Sequence, residues 1–265
     1  MSILPNKTLG QHFLHDAQVV ARIAESIEII PHACMVEIGP GTGVLTRALL
    51  ERGARLTVIE LDSRCWAVLD ALAEEFSGQL MVVRGDALQV DWDGLLCGKE
   101  GIRGSVVGNL PYNVGTELVV QLLSLPNPPR QMVFMLQKEV VQRICATPDT
   151  RDWGRLGVLC QLLADCRKLF DVAPGAFTPP PKVMSSVVRL TPLPAPRFAV
   201  SLTALDGVLR LMFGQRRKML RSVLKGRIRE AQLVELGIQP TWRGEVLELE
   251  AICKLANQIS PKTTT

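Results

Sequence analysis

The sequence predicts an α/β fold in which helices cover both faces of a mostly parallel β-sheet, followed by a small all-helical domain. Short apolar, strand-like segments alternate with segments whose apolar residues recur at helical spacing. Such alternation is typical of a parallel sheet. A glycine-rich loop separates the first of these strands from its helix, and Pro192, Pro194 and Pro196 precede a region predicted to be entirely helical.

The elements follow in chain order from these patterns. The first helix begins after Asp16, whose carboxylate suits an N-cap, and its apolar face consists of Val19, Val20, Ile23, Ala24 and Ile27. Strands are predicted at 34–38, 56–59, 80–84, 105–108, 132–136 and 184–190, and helices at 44–49, 63–75, 116–123, 139–146 and 156–165. The prolines place a domain boundary near residue 195, which gives domains at 1–195 and 196–265.

Composition limits the class of protein. With 265 residues, 47% of them hydrophobic, the chain is long enough for one full core and a small additional domain. The longest apolar stretches, such as 157–164, are shorter than a membrane span. The N-terminus lacks the apolar region of a signal peptide, so a cytoplasmic protein is expected.

Cysteine and histidine usage indicates no metal site. The seven cysteines include no Cys-x-x-Cys pair, and several fall in apolar segments, so buried thiols are expected. The three histidines are His12, His15 and His32, and the His-x-x-His pair at 12 and 15 has no nearby cysteine or acid pair, so no metal is predicted.

Gly39, Gly41 and Gly43 form the glycine-rich loop. Without Cβ atoms they allow a ligand to approach the backbone, and the loop opens onto a helix N-terminus. A dinucleotide fingerprint requires glycine or alanine where Val44 stands, so nicotinamide and flavin cofactors are disfavoured. The Gly-Lys-Ser/Thr ending of a phosphate-binding P-loop is absent.

Two carboxylates follow predicted strands, Glu60 after 56–59 and Asp86 after 80–84. Ligands of open α/β sheets bind at the carboxyl ends of the strands, and an acid at this position can accept both hydroxyls of a ribose. Asp86 would then bind an adenine amine. Each acid alone is also consistent with an ordinary cap at a strand end. Together with the loop they predict a nucleoside cofactor without phosphates, of which S-adenosylmethionine is the common one.

The tetrad Asn109-Leu110-Pro111-Tyr112 contains the only tyrosine in the chain and follows the apolar segment 105–108. The Asn109 side-chain oxygen and the Leu110 carbonyl would accept the two hydrogens of an exocyclic amine. Pro111 keeps Leu110 extended, and Tyr112 would stack on the base, which is worth roughly 1–3 kcal/mol. The alternative interpretation is a proline-containing turn after a buried strand.

The segment 210–229 is strongly basic. It holds eight basic residues and no acidic one, interleaved with apolar residues. A solvated helix face is one interpretation of this pattern. Beside a tetrad that suits a nucleic-acid base, the block favours contacts with phosphates, so the substrate base would lie within a polymer.

These segments together resemble the KsgA family of ribosomal RNA adenine dimethyltransferases over about residues 7–259. The matching segments are 9–14 (LGQHFL), 36–43 (VEIGPGTG), 58–62 (VIELD), 85–87 (GDA), 108–113 (GNLPYN), 135–140 (MLQKEV), 177–183 (FTPPPKV) and 215–218 (QRRK). The resemblance implies a Rossmann-like class I S-adenosylmethionine-dependent methyltransferase sheet and an RNA-binding role for the helical domain.

The resemblance also implies a reaction, its partners and its residues. Two methyl groups would pass in turn from S-adenosylmethionine to the exocyclic amine of each of two adjacent adenosines in the 3′-terminal hairpin of 16S rRNA, late in 30S assembly. A monomer is expected. Cofactor contacts are expected from His12, Leu14, Gly39, Gly41, Glu60, Asp86, Ala87 and Asn109. Asn109, Leu110, Tyr112 and Phe177, the last as a second aromatic wall, would bind the target adenine. RNA contacts are expected from Lys182, Arg216, Arg217, Lys218 and Arg221.

The chain departs from the family pattern at His12, where asparagine is usual, and at Trp153 and Gly157, which replace tyrosine and serine. Three other interpretations stay open at this point. They are a 23S rRNA methyltransferase of the antibiotic-resistance type, a DNA adenine methyltransferase, and a ribosome-assembly clamp with dispensable catalysis. The segments 215–218 and 236–238 favour the small-subunit interpretation.

Overall fold

The computed structural model describes residues 3, 11–98, 101–111 and 114–259. The chain forms two compact units. The first comprises the chain up to Val141 together with Asp165–Pro192, and the second comprises Gln142–Ala164 together with the chain from Leu193 onward. Among the helices in these ranges, none is long and apolar enough to cross a membrane.

The first unit is built on a seven-stranded sheet and a separate two-stranded sheet. The strands are β1 (Phe13–Leu14), β2 (Met35–Ile38), β3 (Leu56–Glu60), β4 (Leu80–Arg84), β5 (Ser105–Asn109), β6 (Met132–Gln137), β7 (Ala164–Val172), β8 (Phe177–Thr178) and β9 (Ser185–Pro192). The large sheet has the order β4-β3-β2-β5-β6-β9-β7, and β1 pairs antiparallel with β8. The five strands from β2 to β6 are parallel, whereas β9 runs antiparallel to β6. This topology confirms the predicted α/β class.

The strand order reverses beside β2. From β2 the chain proceeds outward through β3 and β4 and then returns to form β5 on the other side of β2. Ile38, the last residue of β2, is opposite both Ile59 and Gly108. The loops that follow β2 and β5 therefore leave the sheet in different directions, and the crevice between them is the usual ligand site of an open α/β sheet.

The helices match most of the predicted segments. They are α1 (Ala17–Glu25), α2 (Val44–Glu51), α3 (Ser63–Glu75), α4 (Trp92–Leu96), α5 (Gly115–Leu123), α6 (Lys138–Ile144), α7 (Arg155–Leu163), α8 (Leu202–Gly214), α9 (Leu220–Val223), α10 (Glu230–Glu235) and α11 (Leu249–Ile259). Asp16 caps α1 as expected, because its carboxylate accepts the N–H groups of Gln18 and Val19 at 2.9 and 3.1 Å.

Both faces of the sheet are covered at its centre. Successive residues of a strand point to opposite faces, yet Val106 and Val107 of β5 are both completely buried. On one face, Val107 belongs to a core cluster with Ile23 of α1, Leu49 of α2 and Leu69 of α3. The burial of consecutive residues is the pattern expected for the interior of a parallel sheet.

The strand β7 was not predicted, and the helix expected at 156–165 ends at Leu163. The sequence of β7, ADCRKLFDV, is rich in charged residues and shows no regular alternation of buried and exposed positions. Because β7 lies at one end of the seven-stranded sheet, only one of its sides is paired. Edge strands tolerate charged side chains, which weakens their sequence signal.

The second unit has its own apolar core. Leu205, Leu209 and Met212 of α8 belong to one cluster with Ile252 and Leu255 of α11. Trp153 is 1% exposed in this cluster, and its indole N–H donates to the Leu247 carbonyl at 3.1 Å. The segment 142–164 groups with this unit, although the proline boundary had placed it in the domain 1–195. The physical reason is that Val158 and Leu162 of α7 lie in the same core as α8 and α11.

Gly157 provides a test of how tightly the second unit is packed. A Cβ at this position of α7 would lie 2.5 Å from the Arg143 carbonyl oxygen, whereas a Cβ at Gly207 of α8 would meet nothing within 4 Å. We expect Gly157→Ala to lower the free energy of unfolding by about 1–3 kcal/mol through overpacking. Gly207→Ala, the matched control, should raise it by roughly 0.5–1 kcal/mol. Urea denaturation measures both changes, and equal effects of the two substitutions would contradict this packing.

Candidate active site

A cavity lies at the carboxyl ends of β2, β3, β4 and β5, and the N-terminal segment 11–14 contributes to its wall. Its lining contains every residue that was expected to contact the cofactor, namely His12, Leu14, Gly39, Gly41, Glu60, Asp86, Ala87 and Asn109. These residues are distant in sequence, but each follows or flanks the end of a strand. They therefore meet near β2, where the strand order of the sheet reverses.

Glu60 connects three parts of this wall. It is 4% exposed, and its two carboxylate oxygens accept the backbone N–H groups of Gly41 at 3.0 Å and Asp62 at 2.7 Å. Its main-chain carbonyl accepts the Gly85 N–H at 3.1 Å and the Trp66 indole N–H at 3.2 Å. Burial raises the pKa of Glu60, and the hydrogen bonds from Asp62 and Gly41 oppose that rise because they favour the ionised carboxylate. Each oxygen has a further lone pair that can accept a ligand hydroxyl.

The glycine loop has a conformation that requires glycine. Gly39, Gly41 and Gly43 have φ values of +64°, +56° and +78°, a region that other residues rarely occupy. A Cβ at Gly41 would also lie 2.9 Å from carbon atoms of the Phe13 ring, and one at Gly43 would lie 2.4 Å from Leu72 Cδ1. The loop is therefore fitted closely between the N-terminal segment and α3.

Asp86 presents a carboxylate at the end of β4. Its Oδ1 accepts the Leu88 N–H at 2.9 Å, which orients the side chain. In the part of the chain that the structure describes, no hydrogen bond is made to the Oδ2 atom. This oxygen can therefore accept a hydrogen bond from a ligand in the cavity.

The Asn109 side chain is held in a defined orientation. Its Nδ2 donates to the His12 carbonyl at 3.0 Å. Because a carbonyl cannot donate, this contact identifies which end of the amide carries the nitrogen. Asn109 lines the cavity, and its Oδ1 is left as an acceptor.

The backbone after Asn109 is also held firmly. The Leu110 N–H donates to the Met135 carbonyl at 3.1 Å, and the Pro111 carbonyl accepts the Gly115 N–H at 2.9 Å. Leu110 lines the cavity, and its carbonyl accepts no hydrogen bond from any residue in the described ranges. Tyr112, the predicted stacking residue, lies outside the described residues.

The N-terminal segment is joined to the loop after β8. His12 Nδ1 lies 2.7 Å from the Pro179 carbonyl and donates to it, and Leu14 of β1 pairs with Phe177 of β8. Phe177 itself is 2% exposed and belongs to the apolar core of the first unit, together with Leu14 and Val172. It does not line the cavity, so the structure differs here from the expectation of a second aromatic wall.

The cavity is rich in carboxylates. Its described lining residues include Glu37, Glu60 and Asp86 but neither lysine nor arginine. Because burial raises the pKa of Glu37 to about 8, this group adds no charge near neutral pH. The remaining carboxylates, with no cation beside them in the described lining, disfavour phosphate groups and favour a ligand that carries positive charge. Leu61, which is 53% exposed, adds an apolar wall beside Glu60, as a flat ring would require.

Glu37 and Leu61 are site residues that sequence reasoning missed. Glu37 lies inside a short apolar strand, is 2% exposed, and accepts the Thr46 hydroxyl at 2.7 Å. Burial raises the pKa of Glu37 to about 8, while the hydrogen bond from Thr46 opposes the rise and the charge of Glu60 adds to it. The sequence did contain a sign of the role of Glu37, because an acidic residue within a buried strand is unusual and this one stands next to the glycine loop.

The basic block in the second unit separates into paired and unpaired residues. Arg216 donates to Glu245 at 2.6 Å and to the Thr150 carbonyl at 2.9 Å, so this side chain holds two loops together. This internal role differs from the expected contact with RNA. By contrast, Arg217, Lys218 and Arg221 are exposed and form no ion pair with another described residue. Lys182, in the first unit, is exposed as well.

Comparison with protein families identifies one matching family. Its description is "Ribosomal RNA adenine dimethylase", and residues 4–260 of this chain match it. The protein named ribosomal RNA small subunit methyltransferase A of Brucella abortus biovar 1 (strain 9-941) is 45% identical over 262 residues, which cover 98% of this chain and 94% of that protein. The protein of the same name from Mesorhizobium japonicum is 47% identical over 263 residues, which cover 96% of this chain and 92% of that protein.

Two solved structures are similar to both units of the chain. A dimethyladenosine transferase from Plasmodium falciparum has a TM-score of 0.71 at 28% identity and covers 85% of this chain and 78% of its own. The 23S rRNA methyltransferase ErmE has a TM-score of 0.69 at 26% identity and covers 94% of this chain and all of its own, 100%. The same architecture therefore occurs in a dimethyladenosine transferase and in a 23S rRNA methyltransferase.

The raised pKa of Glu37 predicts a pH dependence of stability. Between the ordinary value of 4.5 and about 8, the folded protein holds a proton at Glu37 that the unfolded chain has released. The free energy of unfolding should therefore fall as pH rises through this window, by up to about 1.4 kcal/mol per pH unit from this group. Glu37→Gln should remove that contribution, whereas Glu51→Gln at an exposed site should retain it. Urea denaturation from pH 5 to 8 tests this, and equal slopes for Glu37→Gln and the unmodified protein would contradict it.

Proposed function

Because the chain belongs to the ribosomal RNA adenine dimethylase family, we propose that it methylates two adjacent adenosines in the 3′-terminal hairpin of 16S rRNA. The enzyme is an S-adenosylmethionine-dependent rRNA adenine dimethyltransferase. Each target adenosine receives two methyl groups at its N6 amine, and the substrate is the 30S particle. The protein acts as a monomer in the cytoplasm.

The observation that carries this proposal is the meeting of Glu60, Asp86 and Asn109 in one anionic cavity. When bound, S-adenosylmethionine supplies a methyl group on a positively charged sulfur. Glu60 binds the ribose hydroxyls through the remaining lone pairs of its carboxylate, and Asp86 Oδ2 accepts the adenine amine. The absence of lysine and arginine from the described lining fits a cofactor without phosphates and with a cationic centre.

Asn109 and Leu110 position the acceptor amine. Asn109 Oδ1 and the Leu110 carbonyl accept its two hydrogens, which draws the nitrogen lone pair out of conjugation with the ring. His12 and Met135 hold these two acceptors in advance, through the hydrogen bonds to Asn109 Nδ2 and to the Leu110 N–H. Such preorganisation reduces the reorganisation needed when charge develops on the amine.

No side chain of the cavity is needed as a strong base. After methyl transfer the amine is cationic and loses a proton readily to water or to a neighbouring acceptor. Tyr112 stacks on the target base in this proposal, as expected from its place in the tetrad. Phe177 has no part in it, because that ring is buried in the core.

RNA binding is assigned to the exposed cations. In the second unit these are Arg217, Lys218 and Arg221, which have no partner acid among the described residues. Lys182 provides a further positive charge in the first unit. Arg216 is omitted from this set, since its ion pair with Glu245 already satisfies its charge.

A 23S rRNA substrate is the second candidate, and the likeness to ErmE favours it. The identity of 45–47% to proteins named for the small subunit exceeds the 26% to ErmE, which supports the 16S assignment. A ribosome-assembly clamp with dispensable catalysis is a further candidate. The intact hydrogen bonds of Glu60 and Asn109 oppose it, because a site without selection for chemistry does not need such preorganisation.

Mass spectrometry of nucleosides tests the substrate assignment. Purified 30S and 50S particles that lack the modification are incubated with the protein and isotopically labelled S-adenosylmethionine. We expect labelled N6,N6-dimethyladenosine at two adjacent positions of 16S rRNA. Label in 23S rRNA alone would replace the 16S assignment with the second candidate, and RNA that stays unlabelled in both particles would reject methyltransferase activity on either.

Asn109→Ala tests the role of the amide acceptor. Removal of Oδ1 leaves one amine hydrogen without its acceptor, so single-turnover methylation of 30S particles should slow by about 100-fold or more. Asn127→Ala, at an exposed position outside the cavity, is the matched control and should retain the rate. A rate within threefold (about 0.6 kcal/mol) of the unmodified enzyme for Asn109→Ala would contradict the proposed role.

A further inference from the structure

The second unit exposes two large apolar side chains within its basic region. Trp242 is 39% exposed and Met219 is 40% exposed. The other tryptophans differ, because Trp92 and Trp153 are at most 2% exposed and Trp66 donates its indole N–H to Glu60. Exposure of a tryptophan gives up the burial of a large apolar area, so its presence on the surface calls for a reason.

The backbone holds the segments of Trp242 and Met219 side by side. The Leu220 N–H donates to the Trp242 carbonyl at 2.7 Å, and the Arg221 N–H donates to the Pro240 carbonyl at 2.9 Å. Leu220 is completely buried, so it anchors the segment in the core of the second unit. The two exposed residues therefore lie on adjoining, well-supported segments.

Exposed cations lie beside both apolar residues in sequence. Lys218 and Arg221 flank Met219 in sequence, Arg243 follows Trp242, and all three are exposed. The residues 215–229 include no acid. The nearby Glu245 is only 25% exposed and is already paired with Arg216. The region thus combines exposed cations with an aromatic ring.

We propose that Trp242 and Met219 form a platform on which an unpaired RNA base stacks, while Lys218, Arg221 and Arg243 bind the phosphates on either side. The inference rests on the proposed function in that the substrate is RNA, and it adds a specific contact for a single-stranded nucleotide outside the cavity. Aromatic stacking beside cations is the usual means of binding single strands without reading their sequence.

An RNA base fits this surface better than a protein partner. Stable protein interfaces have an apolar centre depleted of lysine and bury about 800 Å² on each partner. Here the apolar surface consists of two residues on adjoining segments, each with exposed cations beside it in sequence. A duplex is also a poorer fit, because its bases are already stacked on each other.

Binding of a short oligoadenylate to the full-length protein tests the platform. Trp242→Ala should weaken binding by about tenfold. The slope of the logarithm of the association constant against the logarithm of the salt concentration should not change, since no phosphate contact is lost. Trp242→Phe should keep most of the affinity, whereas Trp242→Leu should lose it, because only the aromatic ring stacks. In contrast, Arg221→Ala should reduce the salt slope.

Inorganic polyphosphate provides the control ligand, because it carries the charge of a nucleic acid without bases. Its affinity should be the same for Trp242→Ala and the unmodified protein. Equal affinity of both proteins for oligoadenylate, or equal losses for oligoadenylate and polyphosphate, would overturn the platform. Self-association in sedimentation that disappears in Trp242→Ala would overturn it too, in favour of a second copy as the partner.

The same proteins separate this inference from the proposed function. If the unmodified enzyme methylates 30S particles but Trp242→Ala binds oligoadenylate normally, only the platform is wrong. If the unmodified enzyme methylates no rRNA, the proposed function fails whatever the result with oligoadenylate.

Discussion

The site depends on the hydrogen bonds that Glu60 accepts. The Glu60 carboxylate accepts the N–H of Gly41 from the glycine loop and that of Asp62 from the start of α3, while the Glu60 carbonyl receives the Gly85 N–H at the end of β4. Three neighbouring strand ends are thus joined through one residue. Hydrogen bonds to an ionised group are stronger than those between neutral groups, which offsets part of the cost of burying the charge.

This arrangement also determines which ligand the cavity accepts. The glycine loop approaches closely because three glycines have positive φ values, yet its N–H groups are not accompanied by a basic side chain in the described lining. The Glu60 carboxylate accepts the N–H of Gly41 in this loop and adds a negative charge. The result is a nucleoside site that repels phosphates, although the five parallel strands have the order that dinucleotide-binding proteins use.

The part of the cavity proposed to bind the target amine depends on the N-terminal segment 11–14. The His12 carbonyl orients the Asn109 amide, and the His12 ring donates to Pro179 beyond β8. The contact with Pro179 is made by the His12 side chain, whereas the contact with Asn109 is made by the main chain. The hydrogen bond that orients Asn109 therefore does not involve the side chain at position 12.

The sequence by itself determined the α/β class, the strand ends and the residues that line the cavity, because glycines, acids and prolines at strand ends are local signals with direct chemical meaning. Periodicity likewise located most helices, and α3 begins and ends where it was predicted. Only the tertiary structure decided that β7 is a strand, that Phe177 is buried, that Arg216 is paired with Glu245, and that Glu37 belongs to the site. Each of these depends on a partner far away in the chain. Burial and ion pairing are set by such distant neighbours, so no local pattern of residues could reveal them.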